Sequence, residues 1–140
     1  MSAKTWKKEF YPKAPTKKMT FLEATEHSLR KWIGLRYTNR ALHHINVSLA
    51  GNLENDKDVQ FLSIDSSSCA LCKVVDSNCE NCPIFLLTKD TCDISRGNFH
   101  SAFGAWMDDV DPEPMILLLE SVREFLLKYP DLGGKVGSEC

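Results

Sequence analysis

Five of the six cysteines fall between residues 69 and 92, in the order Cys69-x2-Cys72-x6-Cys79-x2-Cys82-x9-Cys92. A C-x2-C pair puts two sulfurs on one tight knuckle. Two facing knuckles supply the tetrahedral thiolate cage that Zn2+ takes, with bonds of about 2.3 Å. Zinc uses four sulfurs, so one of the five is spare or exchanges with Cys92, and the spacing does not say which. An iron–sulfur cluster is the alternative occupant of such a set. Cys140 sits in a Gly-rich tail and reads as a terminal thiol outside the set.

The same residues read less well as disulfides or redox catalysts. Met1 to Met19 is rich in lysine and lacks the apolar run of a secretory signal. This predicts a cytoplasmic, reducing setting in which disulfides are rare. A thioredoxin-like strand followed by Cys69-Ala70-Leu71-Cys72 is conceivable, yet a redox motif needs one pair and a second follows six residues on. Asp65, Asp76, Glu80, Asp90 and Asp93 flank the cysteines, against Lys73 and Lys89. Catalytic thiolates of low pKa favour electropositive surroundings. A divalent cation resolves that conflict.

A second group of candidates lies at the N-terminus. Lys4, Trp6, Lys7, Lys8, Phe10, Tyr11, Lys13, Lys17 and Lys18 interleave cations with rings, the composition that grips phosphates and stacks on unpaired bases. The first forty residues carry ten Lys and Arg against three acidic residues; the other hundred carry seven against sixteen. The formal charge of −2 hides this polarity. It fits a basic arm for nucleic acid, a protein surface, or the chain's own acidic body.

Other titratable groups are weaker candidates. His27, His43, His44 and His100 read as surface or packing residues, with His100 the stand-in for a three-sulfur, one-nitrogen site. Asp108, Asp109 and Asp111 precede a helix start, where carboxylates cap and favour the dipole. No P-loop, Rossmann fingerprint, Gly-x-Ser-x-Gly elbow, His-Glu-x-x-His or EF-hand loop occurs. A non-enzymatic protein is the expectation.

The elements that must hold these residues can be read from start and stop signals. Length and a 43% hydrophobic content fit one domain with a modest core. No apolar stretch approaches the roughly 18 residues of a membrane span, so a soluble protein with no membrane partner is expected. Residues 1–18 read as a flexible arm, 19–130 as the globular domain and 131–140 as a flexible tail. Thr20-Phe21-Leu22-Glu23 has the form of a capping box. The stripe Phe21, Leu22, Thr25, Leu29, Trp32, Ile33 and Tyr37 follows at helical spacing, leaving Glu26, Arg30 and Lys31 on other faces. A second helix over Thr38 to Ala50 would bury Leu42, Ile45 and Leu49 and end at Gly51-Asn52.

A loop then leads to a strand at Val59 to Ile64. The cysteine segment, about 65–95, has little hydrophobic means of holding itself, and metal ligation would supply what packing cannot. A short helix over Asn98 to Met107 and a longer one close the chain. For the latter Asp111 caps, Pro112 takes the first position, and the apolar face runs from Met115 through Leu118, Leu119, Val122, Phe125 and Leu126 to Tyr129. Pro130 stops it. The fold class is therefore mainly α with a small irregular or β cysteine-rich metal module, in a single α+β domain.

The order Glu26-His27-Ser28-Leu29-Arg30-Lys31-Trp32, Cys69-Ala70-Leu71-Cys72, Cys79-Glu80-Asn81-Cys82-Pro83-Ile84 and Cys92 resembles a loose group of small bacteriophage proteins. That group shows a Ser-hydrophobic-x-Lys-Trp helix, a C-x-L-C knuckle, a C-x-x-C-P knuckle, a further cysteine, an aromatic helix and a Leu-rich C-terminal helix. The resemblance covers about residues 20–128. It departs at Arg96-Gly97-Asn98-Phe99, where the group often has Thr-Pro-Tyr or Ser-Pro-Tyr, and in a longer segment between Trp32 and Cys69. What it implies is a phage setting, with host cytoplasm as the location and a host protein as the first partner. With the residues' own chemistry, the expectation is a metal-stapled interaction protein that modulates a host macromolecule. A nucleic-acid-binding accessory protein using the basic arm and the first long helix is the alternative.

Overall fold

Two amphipathic helices form the centre of the described structure, and the other helices pack against one or the other. The computed structural model describes residues 2–76, 78–89 and 101–135. Helix α1 spans Ala3–Phe10, α2 Phe21–Gly34 and α3 Tyr37–Leu42. Strands β1 (Asn46–Val47), β2 (Leu53–Glu54) and β3 (Gln60–Leu62) form an antiparallel sheet in that order. Helices α4 (Ala70–Val74) and α5 (Pro83–Thr88) carry the cysteine segment. They are followed by α6 (Ala102–Asp109), α7 (Glu113–Lys128) and the single turn α8 (Pro130–Gly133). The chain is thus mainly helical with one small sheet. Among the described residues no helix is long and apolar enough to cross a membrane.

Helices α2 and α7 face each other along their apolar stripes. Phe21, Ala24 and Trp32 from α2, with Leu35 just after it, meet Met115, Ile116, Leu119, Val122 and Leu126 from α7 in one buried cluster. The α2 start signal is as read from the sequence, while α7 starts one residue later than read, with Pro112 rather than Asp111 at the cap position. Thr20 Oγ1 accepts from the Glu23 N–H at 3.1 Å while Glu23 Oε1 accepts from the Thr20 N–H at 3.0 Å. Asp111 Oδ1 accepts from the Glu113 N–H at 3.0 Å. A bidentate Arg36–Glu113 pair, 2.7 and 3.2 Å, ties the end of α2 to the start of α7. The Phe21 N–H donates to the Lys135 carbonyl at 2.9 Å, closing the other end. Trp106 of α6 sets its ring edge-on to Trp32, 5.7 Å between centroids, and donates Nε1–H to the Gly51 carbonyl at 2.9 Å. Gly51 is required there: its φ is +81°, and a Cβ would meet Met107 Sδ at 3.0 Å.

The first residues are not an extended arm but a docked helix. Ser2 and Thr5 make a reciprocal cap, and Lys7 and Lys8 in the last turn complement the dipole. Trp6 and Phe10, one turn apart, share the inner face. Trp6 is fully buried, donates Nε1–H to the Gly34 carbonyl at 2.8 Å, and packs on Phe10 and Phe61. Gly34 makes room, since a Cβ there would lie 2.5 Å from the Phe10 ring. His43 bridges back to the same helix, with Nδ1 2.9 Å from Thr5 Oγ1 and Nε2 3.0 Å from Glu9 Oε2.

Three further readings of the sequence are corrected. Helix α3 stops at Leu42, and the chain turns through His44 (φ 56°) into β1 rather than continuing to Ala50. Ile45 is buried as expected, but Leu42 is 54% exposed and Leu49 is fully exposed. The polar stretch read as a loop contains β2, whose Leu53 is completely buried between β1 and β3. The cysteine segment does have apolar anchors: Ala70, Leu71 and Val74 of α4, with Val75 and Ile84, join the main core. Pro130 follows the end of α7, as expected, and also opens α8 at its first position, the place proline suits. The expected helix start at Asn98 lies outside the described residues; from Ser101, which caps Gly104 N–H at 2.8 Å, α6 runs to Asp109.

Because Trp6 is the deepest anchor of α1, Trp6→Ala should destabilise the protein by about 3–5 kcal/mol. The measurement is the shift of the urea unfolding midpoint. A neutral result would mean that α1 does not belong to the cooperative core.

Candidate metal centre

The two knuckles differ in local form: the leading cysteine stands at a helix cap in the first and the trailing one in the second. Cys69 immediately precedes α4 and Cys82 immediately precedes α5, each in extended backbone at the helix cap, with Pro83 at the first position of α5. Helix entry turns the following N–H groups toward the preceding side chain, and Cys69 Sγ accepts from the Cys72 N–H at 3.4 Å. Cys79 opens a single helical turn, Cys79–Asn81, three residues before Cys82. Cys69 and Cys72 are half-buried and Cys82 is buried. The side chain of Cys79, and the whole of Cys92, His100 and Cys140, lie outside the described residues. Among the described residues no three His, Cys, Asp or Glu side chains converge as a ligand group.

Helix α2 packs directly on α4 and brings an unexpected partner. Lys31, assigned to an outer face by the sequence pattern, is 1% exposed. Its Nζ donates to both the carbonyl and the hydroxyl of Ser68, each at 3.2 Å, and sits 5.6 Å from the Trp32 ring centroid. Ser68 adjoins Cys69. A hydrogen bond from the Cys72 side chain, the Lys31 charge and the backbone N–H groups of Cys72 and Leu71 together pull the Cys69 thiol from 9.0 to about 5, against the opposing effect of burial. The surroundings of the first knuckle are therefore electropositive on the side facing α2, not uniformly acidic as the local sequence suggested. Of the flanking carboxylates, Asp76 pairs with Lys17 at 3.2 Å, both side chains being exposed.

Three more side chains converge on this region. Tyr11 is buried, and its phenol is pushed up by that burial and then by the Cys69 charge. His27 stacks edge-on against Tyr11 at 5.0 Å and places Nε2 2.8 Å from the Lys13 carbonyl. Burial is the main effect that lowers its pKa. Among the described residues, His27 Nδ1 and the buried Ser28 hydroxyl have no hydrogen-bond partner. None of these residues announced itself in the linear sequence as a neighbour of Cys69; the spacing Ser28-x2-Lys31, which puts two polar groups on one helix face, was the available signal.

A cysteine sulfur must be deprotonated before it binds a metal, and the Cys69 pKa is lowered to about 5. The N-terminal candidates are dispersed differently. Trp6, Phe10 and Tyr11 are buried in the core, so those rings are not presented for base stacking; Lys4, Lys8, Lys13, Lys17 and Lys18 are exposed and Lys7 half-exposed. His43 is the clamp on α1, His44 is exposed, and Asp111 bonds the first N–H of α7. No protein-family model, curated protein or solved structure matches this chain.

The lowered Cys69 pKa gives a direct expectation. In metal-stripped protein, alkylation of Cys69 by iodoacetamide should reach half its maximal rate near pH 5, since the thiolate is the nucleophile and the shift carries it to the acid side. Peptide mass spectrometry across a pH series reads this. A midpoint in the ordinary thiol range, about 8.5, would show that the α2–α4 contact does not hold Cys69 ionised.

Proposed function

We propose that the protein is a non-enzymatic, metal-stapled interaction module. In it Zn2+, held by four of Cys69, Cys72, Cys79, Cys82 and Cys92, fixes the segment between α4 and α6 on the α2–α7 pair. The observation that carries this reading is the first knuckle's placement, with Cys69 at the cap of α4, its sulfur accepting from the Cys72 N–H at 3.4 Å, and the buried Lys31 bonded to the adjoining Ser68. Zinc would supply a fixed tetrahedral node. The chain's own residues orient the sulfurs through helix entry, exclude water with Leu71, Val74 and Ile84, and balance charge with Lys31. The partner class we assign is a host protein surface, in keeping with the phage-like motif order. The setting is the host cytoplasm. Exposed Tyr37 and Leu42 on α3 and Leu49 in the β1–β2 turn supply apolar contact area.

Elemental analysis of protein purified under reducing conditions should find about one zinc per chain, the stoichiometry of a closed four-coordinate site. Chelation should lower the thermal midpoint, and Cys69→Ser or Cys82→Ser should lose the metal. A visible absorption band with iron and sulfide would replace zinc by an iron–sulfur cluster. Metal-free protein that melts as before in the presence of chelator would end the reading.

A thiol-redox role is the second reading, favoured by the low Cys69 pKa alone. It requires Cys69→Ser to abolish a disulfide-reductase activity while metal content stays unchanged. The nucleic-acid alternative rests on phosphate contacts from the exposed lysines. Titration of labelled DNA and RNA should then show affinity falling steeply from low to physiological salt, in proportion to the phosphates contacted. No binding at low salt removes it.

A further inference from the structure

Arg36 and Arg40 stand one turn apart at α3, and the fold treats them differently. Arg36 is neutralised by Glu113 through two hydrogen bonds, 2.7 and 3.2 Å long. Arg40 makes no ion pair among the described residues. Its Nε–H donates to the Leu35 carbonyl at 2.8 Å. Its guanidinium carbon lies 5.7 Å from the Tyr37 ring centroid and 5.9 Å from that of Trp106. A neutral carbonyl and two rings therefore fix the group without cancelling its charge. The terminal nitrogens have no acceptor among the described residues. They form the end of the fork that takes a carboxylate through two parallel hydrogen bonds. Burial lowers the Arg40 pKa, so the cation bears a desolvation cost that a facing carboxylate would relieve.

The surroundings of Arg40 are apolar and open. Tyr37 is 74% exposed. Trp106, buried beneath the guanidinium, donates to the Gly51 carbonyl at 2.9 Å and so draws the β1–β2 turn against α6. Met107, which closely approaches Gly51, is exposed, and Leu49 in the same turn is fully exposed. Arginine, tyrosine and methionine are enriched where proteins meet other proteins, and arginine and tyrosine often carry most of the binding energy. A phosphate backbone, by contrast, is gripped by several cations together. Here the charge of Arg36 is already cancelled, and Asp108 and Asp109 follow Met107 directly in the chain. One carboxylate among apolar side chains is the better complement.

Resting on the interaction-module reading above, we propose that Tyr37, Arg40, Leu49 and Met107 form the docking surface for a segment of a partner protein in which one Asp or Glu stands among apolar residues. The Arg40 fork takes the carboxylate, and Tyr37, Leu49 and Met107 cover its neighbours. Rings and the Leu35 carbonyl hold the fork in advance, so little side-chain freedom is lost on binding.

The test selects peptides from a random displayed library on the full-length protein and measures the affinity of a selected peptide for the parent and its variants. Selected peptides should share one acidic residue between apolar ones. Arg40→Gln should weaken binding about 10- to 30-fold, the loss expected of a central anchor. Arg40→Lys should lose nearly as much, because an ammonium offers no fork. Peptides with no shared acid, or a peptide that binds Arg40→Gln as tightly as the parent, overturn the proposal. If Arg40→Gln does not fold, Tyr37→Ala and Leu49→Ser at exposed positions decide: weaker binding supports the surface, and unchanged binding by both overturns it. Dimerisation that Tyr37→Ala abolishes would make a second copy the occupant, and single-stranded DNA that displaces the peptide would make it a polyanion; either overturns the assignment. Peptides insensitive to Arg40 leave the interaction module standing with its surface elsewhere. A parent that selects no peptide removes the interaction reading itself, and this surface with it.

Discussion

The face-to-face packing of α2 on α7 is the constraint on which the rest of the molecule depends. Each helix is amphipathic, and each can bury its stripe only against the other. Once they pair, α1 and α4 are left the flanks of α2, while α5 and α6 take those of α7. The ends are then pinned by Arg36–Glu113 on one side and Phe21–Lys135 on the other. A helix covered on three sides has little freedom to turn its polar residues outward. That is why Thr25, Ser28 and Lys31 come to lie in the interior rather than in solvent.

Burying a lysine there works against stability taken alone. Replacing a buried charge by an apolar side chain of similar volume is often neutral or favourable, so hydrophobic packing gives no reason for Lys31. The hydrogen bonds to Ser68 hold the ammonium at the start of the first knuckle, where its charge is one of the effects that lower the Cys69 pKa. The same contact draws in Tyr11 and His27, which connects the knuckle to the segment following α1.

Helix α1 changes how the N-terminal chemistry is understood. As a string, the segment from Lys4 to Lys18 mixes cations and rings evenly. In space the two kinds separate, because 3.6 residues per turn sends Trp6 and Phe10 inward and leaves most of the lysines outside. The basic character of the first forty residues is therefore a property of a folded surface rather than of a free arm. Any anionic partner meets lysines on a rigid helix and on the loop behind it, without stacking from those rings.

Local chemistry made several elements legible without a structure. The Thr20–Glu23 box, the Asp111 bond to Glu113, the apolar periodicity of α2 and α7, and the strand near Phe61 all depend on residues within a turn or two of one another. The C-x2-C pairs are of the same kind, and they announced sulfur chemistry directly. The Ser2–Thr5 cap and the Trp6–Phe10 pair were equally local, but the surrounding lysines hid them. What only the tertiary structure decided was which face of each element is covered. The burial of Lys31 and Ser28, the exposure of Leu42 and Leu49, and the inward turn of β2 at Leu53 follow from long-range packing. A sequence pattern records polarity, whereas burial is set by what the rest of the chain lays on top. The chain by itself thus named the candidate ligands, while the fold determined which of them meets a counter-charge, because opposite charges separated by dozens of residues interact only once a helix pair has brought them together.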